Sequence, residues 1–262
     1  MQFNTWESYF YPDTYDPETG QGTLRNLFNE RDRHVLRHLE YAESLARQYE
    51  LVTNEVKIPR TYDHAHLKAI HRHLFQNVYP WAGKWRRVNI SKGYSFFAEA
   101  NTGQIDRYLA DTHRLIDATR WPQLSRETFV ETIATVFAYL NQAHPFREGN
   151  GRANKVFLEH VAQLSTFTFD FSKVTPRQWN LASALSGPDL GEYEPVPQSL
   201  IPVFEAITEA RCPQQRAADK VVNAAHPHPI AQQLETPYAA SIIDNTPKWT
   251  SSTRKQDRPT KL

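Results

Sequence analysis

The sequence predicts an all-α domain, a helical bundle that carries one small β-hairpin. Three observations support this. Up to Cys212, most of the chain falls into segments whose apolar residues recur every three or four positions, the period of a helix with one buried face. Several of these segments open on residues that cap helices, namely Asp63, Ser125 and Thr175. A single stretch, Val88 to Phe97, instead alternates and turns as paired strands do.

The elements follow in order. Residues 1–22 are aromatic and turn-rich (YFYPDTYDPETGQG) and read as an ordered lead-in. A first helix is expected from Thr23 to about Tyr49, with Leu24, Leu27 and Phe28 early and Leu39, Ala42, Leu45 and Ala46 later. Asp63 caps a second, whose Leu67, Ile70, His71, Leu74 and Phe75 share a face and which Pro80 stops. The hairpin follows, turning at Lys92-Gly93. Helix returns over Gln104 to Ile116, and again after Ser125, where Glu127 suits the helix dipole. That helix breaks at His144-Pro145 and another begins near Gly151. Thr175 with Pro176 opens a further helix, and a last one is expected over Leu200 to Ala210. Residues 23–212 thus form the domain, and the Pro-, Gln- and Ser-rich tail 213–262 is expected to be disordered.

Composition narrows the function. A hydrophobic fraction of 40%, with 12% aromatic residues, suffices for a core. The formal charge of +1 gives no basic field, so direct nucleic-acid binding is not expected. The single cysteine rules out an internal disulfide framework and a cysteine zinc cluster, and points to a cytoplasmic, reducing setting. No signal-peptide pattern opens the chain, and no apolar run approaches the roughly 20 residues of a membrane span, so no membrane association is expected. His64, His66, His71 and His73 read as core and surface residues before they read as a zinc site, because neighbouring histidines on a helix face different ways.

The chemistry is concentrated in HPFREGNGRANK, residues 144–155. The second of the two helices that flank it presents free backbone N–H groups to the loop, and Gly149 and Gly151 permit close approach of a ligand, as at phosphate sites. Arg152 and Lys155 lie in the first turn of that helix, where cations oppose the dipole unless an anion sits there. Glu148 is an acid beside such an anion, as magnesium sites require. Asn150 can donate to an anion, Phe146 faces inward to anchor the loop, and His144 can take a proton near neutral pH. A plain turn between helices needs none of this. The combination indicates nucleotidyl or phosphoryl transfer.

HPFREGNGR resembles, at every position from His144 to Arg152, the signature of Fic-domain proteins. Ile70 to Arg86 is similar to the stretch before the Fic flap, VNISKGYSFFA to the flap hairpin itself, and the lead-in to that of many bacterial members. The resemblance covers about residues 10–210 and implies an all-α Fic fold with the hairpin as a flap over the active-site loop. It implies transfer of AMP from ATP, with Mg2+, to a Tyr, Thr or Ser hydroxyl of a target protein, releasing pyrophosphate. By position, it makes His144 the general base, Glu148 the magnesium ligand, and Asn150 with Gly149 and Gly151 the anion hole, with Phe146, Arg147, Arg152 and Lys155 on the nucleotide. Ile90, Ser91, Lys92, Gly93, Phe96 and Phe97 would dock the target as an added strand.

One departure concerns the grip on the triphosphate. Adenylylating members often carry a second arginine where this chain has Lys155, which keeps the charge but not the bidentate fork. Two alternatives stay open: transfer of another nucleoside monophosphate or a phosphate, and a toxin–antitoxin module without catalysis. The inhibitory Ser/Thr-x-x-x-Glu-Gly/Asn helix motif of many members has no convincing copy, since Thr14 and Glu18 have the spacing but Pro17 and Thr19 break the pattern. Inhibition by a small separate antitoxin, or none at all, is therefore expected.

Overall fold

The computed structural model describes residues 2–92 and 95–211. The expected disordered tail 213–262 and the flap residue Gly93 lie outside the described residues. The helices are α1 (Arg33–Val52), α2 (His64–Phe75), α3 (Gln104–Ala118), α4 (Arg126–Ala143), α5 (Asn150–Ala162), α6 (Pro176–Leu185) and α7 (Ile201–Ile207). The flap hairpin pairs β1 (Ser91–Lys92) with β2 (Ser95–Phe96), Ser91 opposite Phe96.

Helix α4 is the axle of the bundle. It packs against α3, α5 and α7, so its apolar residues are buried on several sides, among them Phe129, Ile133, Val136, Phe137 and Leu140. Helix α2 packs against α1 and α5. The two helices that flank the 144–149 loop, α4 and α5, are thereby fixed in the core, and α2 underlies the loop. The caps form as the sequence predicts. Asp63 accepts from the N–H groups of Ala65 and His66, Ser125 from that of Thr128, and Thr175 closes a capping box with Gln178.

Two expectations at helix ends are corrected. Thr23–Asp32 is not helical, because its backbone pairs with other segments: Tyr11 donates to the Thr23 carbonyl, Arg25 to Tyr9 and Leu27 to Val78. Helix α1 starts only after Asp32, whose carboxylate caps it, and Leu27 and Phe28 stay exposed. At the other end, α7 stops at Ile207, and Thr208–Ala210 becomes β4, antiparallel to β3 (Phe167–Phe169). The Arg126 guanidinium donates to the Glu205 and Thr208 carbonyls, which satisfies this terminus from outside.

Asp63→Ala should lower the unfolding free energy by about 1 kcal/mol by removing the α2 cap, measured as a lower urea midpoint with unchanged slope.

Candidate active site

The loop between α4 and α5 is built backbone first. His144 ends α4 in the left-handed region, at φ 37°, which swings the chain away from the helix axis. Gly149, at φ +81°, turns it back into α5. A Cβ on Gly149 would lie 2.4 Å from the ring of fully buried Phe75, so both the conformation and the space require glycine there.

Between these turns, the loop's peptide groups are held by side chains. Asn150 accepts from the Phe146 N–H (2.9 Å) and donates to the Phe146 carbonyl (2.8 Å). Arg86 donates Nε–H to the His144 carbonyl (2.8 Å), and its other nitrogens donate to Val88 and Ala98, tying loop to flap. His71 accepts from the Gly83 N–H at Nδ1, so its Nε2 carries the proton and donates to the Glu148 carbonyl at 2.9 Å. Its ring also stacks on Phe146 at 3.6 Å. Burial lowers the His71 pKa to about 3, keeping it neutral.

His144 is half-buried beside the flap, stacked at 3.8 Å on Phe97. Its Nδ1 lies 3.3 Å from the Asn141 carbonyl, which can only accept, so the proton sits on Nδ1 and Nε2 keeps its lone pair. Burial, then the positive charge of Arg86, lowers its pKa to about 3. The result is an imidazole that stays neutral, well below the near-neutral titration the sequence suggests, with its Nε2 lone pair open to accept a proton. Phe96, by contrast, points out at 75% exposure, and its backbone carbonyl accepts from the Gln142 side chain.

Glu148 is partly exposed. Burial and the Glu40 carboxylate raise its pKa, while Arg147 and Arg152 oppose the rise. One carboxylate beside the free N–H groups of α5 suits an ion that takes its remaining ligands from phosphate and water, as magnesium does. Among the described residues, no three His, Cys, Asp or Glu side chains converge as a protein-only metal cage would need.

Several residues expected at the nucleotide have other partners. Phe146 is fully buried and anchors the loop, as its inward orientation implies; it offers no face to a ligand. Arg147 turns toward the lead-in and lies 4.1 Å over the Trp6 ring, close to Tyr9 and Phe10. The Lys155 ammonium sits 4.6 Å over Phe171 and 4.9 Å over Trp179, and burial lowers its pKa to about 8 despite Glu159. Asn150 shapes the loop with its amide, and Arg152 is paired with Glu40 and donates to Ser44 Oγ at 2.7 Å. Glu40 also accepts from the Tyr79 hydroxyl at 2.5 Å.

Sequence reasoning missed His71, Arg86 and Glu40 as parts of the site. A histidine on the apolar stripe of α2 was the one available signal for His71. Nothing local marks Glu40, and Arg86 stands out only as one of two cations beside Trp81 and Trp85 before the flap. The other histidines of the cluster are accounted for without a metal: buried His66 pairs with His160 and buried His73 with the Arg47 carbonyl, while His64 is exposed. Thr14 and Glu18 lie in turns, so that spacing is not on a helix.

With this geometry in place, comparisons identify the relatives. A Fic/DOC family profile matches residues 61–162. A probable protein adenylyltransferase of Sinorhizobium fredii, y4lH, is 33% identical over 64% of this chain and 86% of its own length. The chain belongs to the Fic/DOC family. The protein adenylyltransferase VbhT of Bartonella schoenbuchensis is 35% identical over 64% of the chain, but the chain spans only 34% of that relative's length. The Fic fold is matched by the Bartonella tribocorum BepC structure with bound AMPPNP, at a TM-score of 0.66 and 28% identity, covering 79% of this chain and 98% of that one. Among the described residues, no helix is long and apolar enough to cross a membrane.

Two predictions follow from this Fic site. Gly149→Ala should destabilise the protein by about 3 kcal/mol, from strain plus overpacking against Phe75, and should weaken ATP binding; a calorimetric titration and a urea curve measure the two effects. Stability should also fall with acid. Burial first lowers the pKa of His66 to about 4, His71 and His144 to about 3 and His160 to about 2, against 6.5 for an unperturbed histidine. Below pH 6.5 the unfolded chain therefore binds more protons, and stability drops as pH falls toward those values. Glu159, raised by burial to about 8, and Glu148, also raised, act in the opposite sense but are outnumbered by the four histidines. The urea midpoint should be lower at about pH 5 than at about pH 7.5.

Proposed function

We propose that this chain is a protein adenylyltransferase, moving AMP from ATP to a Tyr, Thr or Ser hydroxyl of a target protein. The observation that carries the reading is the tautomer of His144: its Nδ1 is spent on the Asn141 carbonyl and its Nε2 lone pair stays free beside an anion-binding helix start. Nε2 takes the proton of the target hydroxyl. The oxygen forms a bond to the α-phosphorus, and the bond to the pyrophosphate oxygen breaks, so pyrophosphate leaves with the electron pair. The free N–H groups at the start of α5 hold phosphate oxygens while charge builds on them. Glu148 would hold the magnesium ion, which supplies charge neutralisation for the triphosphate. Arg152, oriented by Glu40 and Ser44, adds positive charge at the same helix start.

The flap would present the target. The edge of β1–β2 lies beside His144 through Phe97, so an added strand would bring its hydroxyl to the base. The names of the relatives support nucleotidyl transfer over a module without catalysis. An inhibitor on a separate small chain fits the placement of Thr14 and Glu18 in turns, where they build no inhibitory helix.

The test is incubation with a bacterial lysate and ATP labelled at either the α- or the γ-phosphate. Protein should be labelled from the α position alone, and His144→Ala should reduce labelling by at least about 100-fold. Labelling from the γ position would instead mean phosphate transfer, and overturn the proposal.

A further inference from the structure

A cavity of about 370 Å3 lies away from the Fic loop, between the segment after α1 and the C-terminal turn of α5. Its polar wall includes Asn54, Lys57, Arg60, Tyr62 and His160, and Val56 and Ile58 add an apolar side. His160 is ten residues along α5 from Asn150, which places it about 15 Å from the loop.

The hydrogen bonds fix what this wall offers. The Tyr62 N–H donates to His66 Nδ1 (3.3 Å), so the proton of neutral His66 is on Nε2. That Nε2 lies 2.9 Å from His160 Nδ1 and donates to it. His160 must then carry its own proton on Nε2. Both rings are buried and stacked in parallel, and burial, with the positive charge of Arg60, keeps both uncharged. The pair therefore relays a donor, not an acceptor, to a cavity that already holds two cations.

One further feature marks this wall. Tyr62 is held at φ 54°, costly for a bulky residue, with its carbonyl 3.1 Å from His113 Nδ1.

We propose that this cavity is a second ligand site, separate from the nucleotide site, for a small organic oxyanion. Its phosphate or carboxylate group is received by Arg60, Lys57 and the His160 Nε2–H, and its apolar body lies against Val56 and Ile58. The volume suits a ligand of that size. Its occupancy is sensed by α2 and α5 together, because His66 and His160 sit on the helices whose other residues, His71 and Asn150, hold the catalytic loop.

The test uses the full chain with 15N-labelled histidine side chains and 4-aminophenyl phosphate as the probe. The His66 and His160 ring signals should shift saturably, and Arg60→Ala should weaken the apparent affinity about tenfold, since a charge-assisted contact is removed. Arg60 is exposed, so this variant folds normally. Arg152→Ala, which alters the Fic loop, should leave the shift unchanged. The proposal is overturned if the His160 signal does not saturate, if Arg60→Ala has no effect, or if Arg152→Ala alone removes the response, which would place the probe at the phosphate loop.

Discussion

The site rests on one constraint: the peptide groups of residues 144–149 lie between two helices of the core and cannot rely on water to satisfy them. Most of the carbonyls are met from within the protein. Arg86 takes the His144 carbonyl with its side chain and the Pro145 carbonyl with its backbone N–H. Asn150 takes both groups of the Phe146 peptide, and His71 takes the Glu148 carbonyl. Because the loop is satisfied from below, the first N–H groups of α5 are left for a ligand. The packing of α2 and α4 thus fixes the start of α5 before any ligand arrives, as the proposed function requires.

The charges of the loop are distributed by the same logic. Three cations crowded at a helix N-terminus would repel one another and oppose the dipole. The fold draws each toward a different wall: Arg147 to the aromatic lead-in, Arg152 to Glu40 and Ser44 on α1, and Lys155 to Phe171 and Trp179. The lead-in and α1 are therefore part of the site even though neither carries its chemistry. Glu148 is left partly exposed with a raised pKa, as suits a carboxylate that gains from a nearby dication.

Histidine tautomers recur as the device that sets roles. His71, His66 and His144 have similar rings and similar burial pressure on their protonation. They differ in which backbone group meets Nδ1. A backbone N–H at Nδ1 makes His71 and His66 donors through Nε2, whereas a carbonyl near Nδ1 leaves the Nε2 lone pair of His144 open.

The sequence by itself determined the helices with clear caps and apolar stripes, such as α2, α4 and α6, because caps and periodicity act within a few residues. It determined which groups the loop carries for a related reason: HPFREGNGR brings a histidine, an acid and two glycines together in one local segment. Only the tertiary structure decided that Thr23–Asp32 is not helical and that Thr208–Ala210 joins a strand, since those backbones bond to distant segments. It alone decided that Phe146 and Asn150 build the loop, that Arg147 and Lys155 lie on aromatic rings, and that Glu40, His71 and Arg86 belong to the site. The reason is distance along the chain: Arg152 meets Ser44 across 108 residues, and His71 meets Glu148 across 77. A side chain's chemistry is written at its own position, but its partner is chosen by packing.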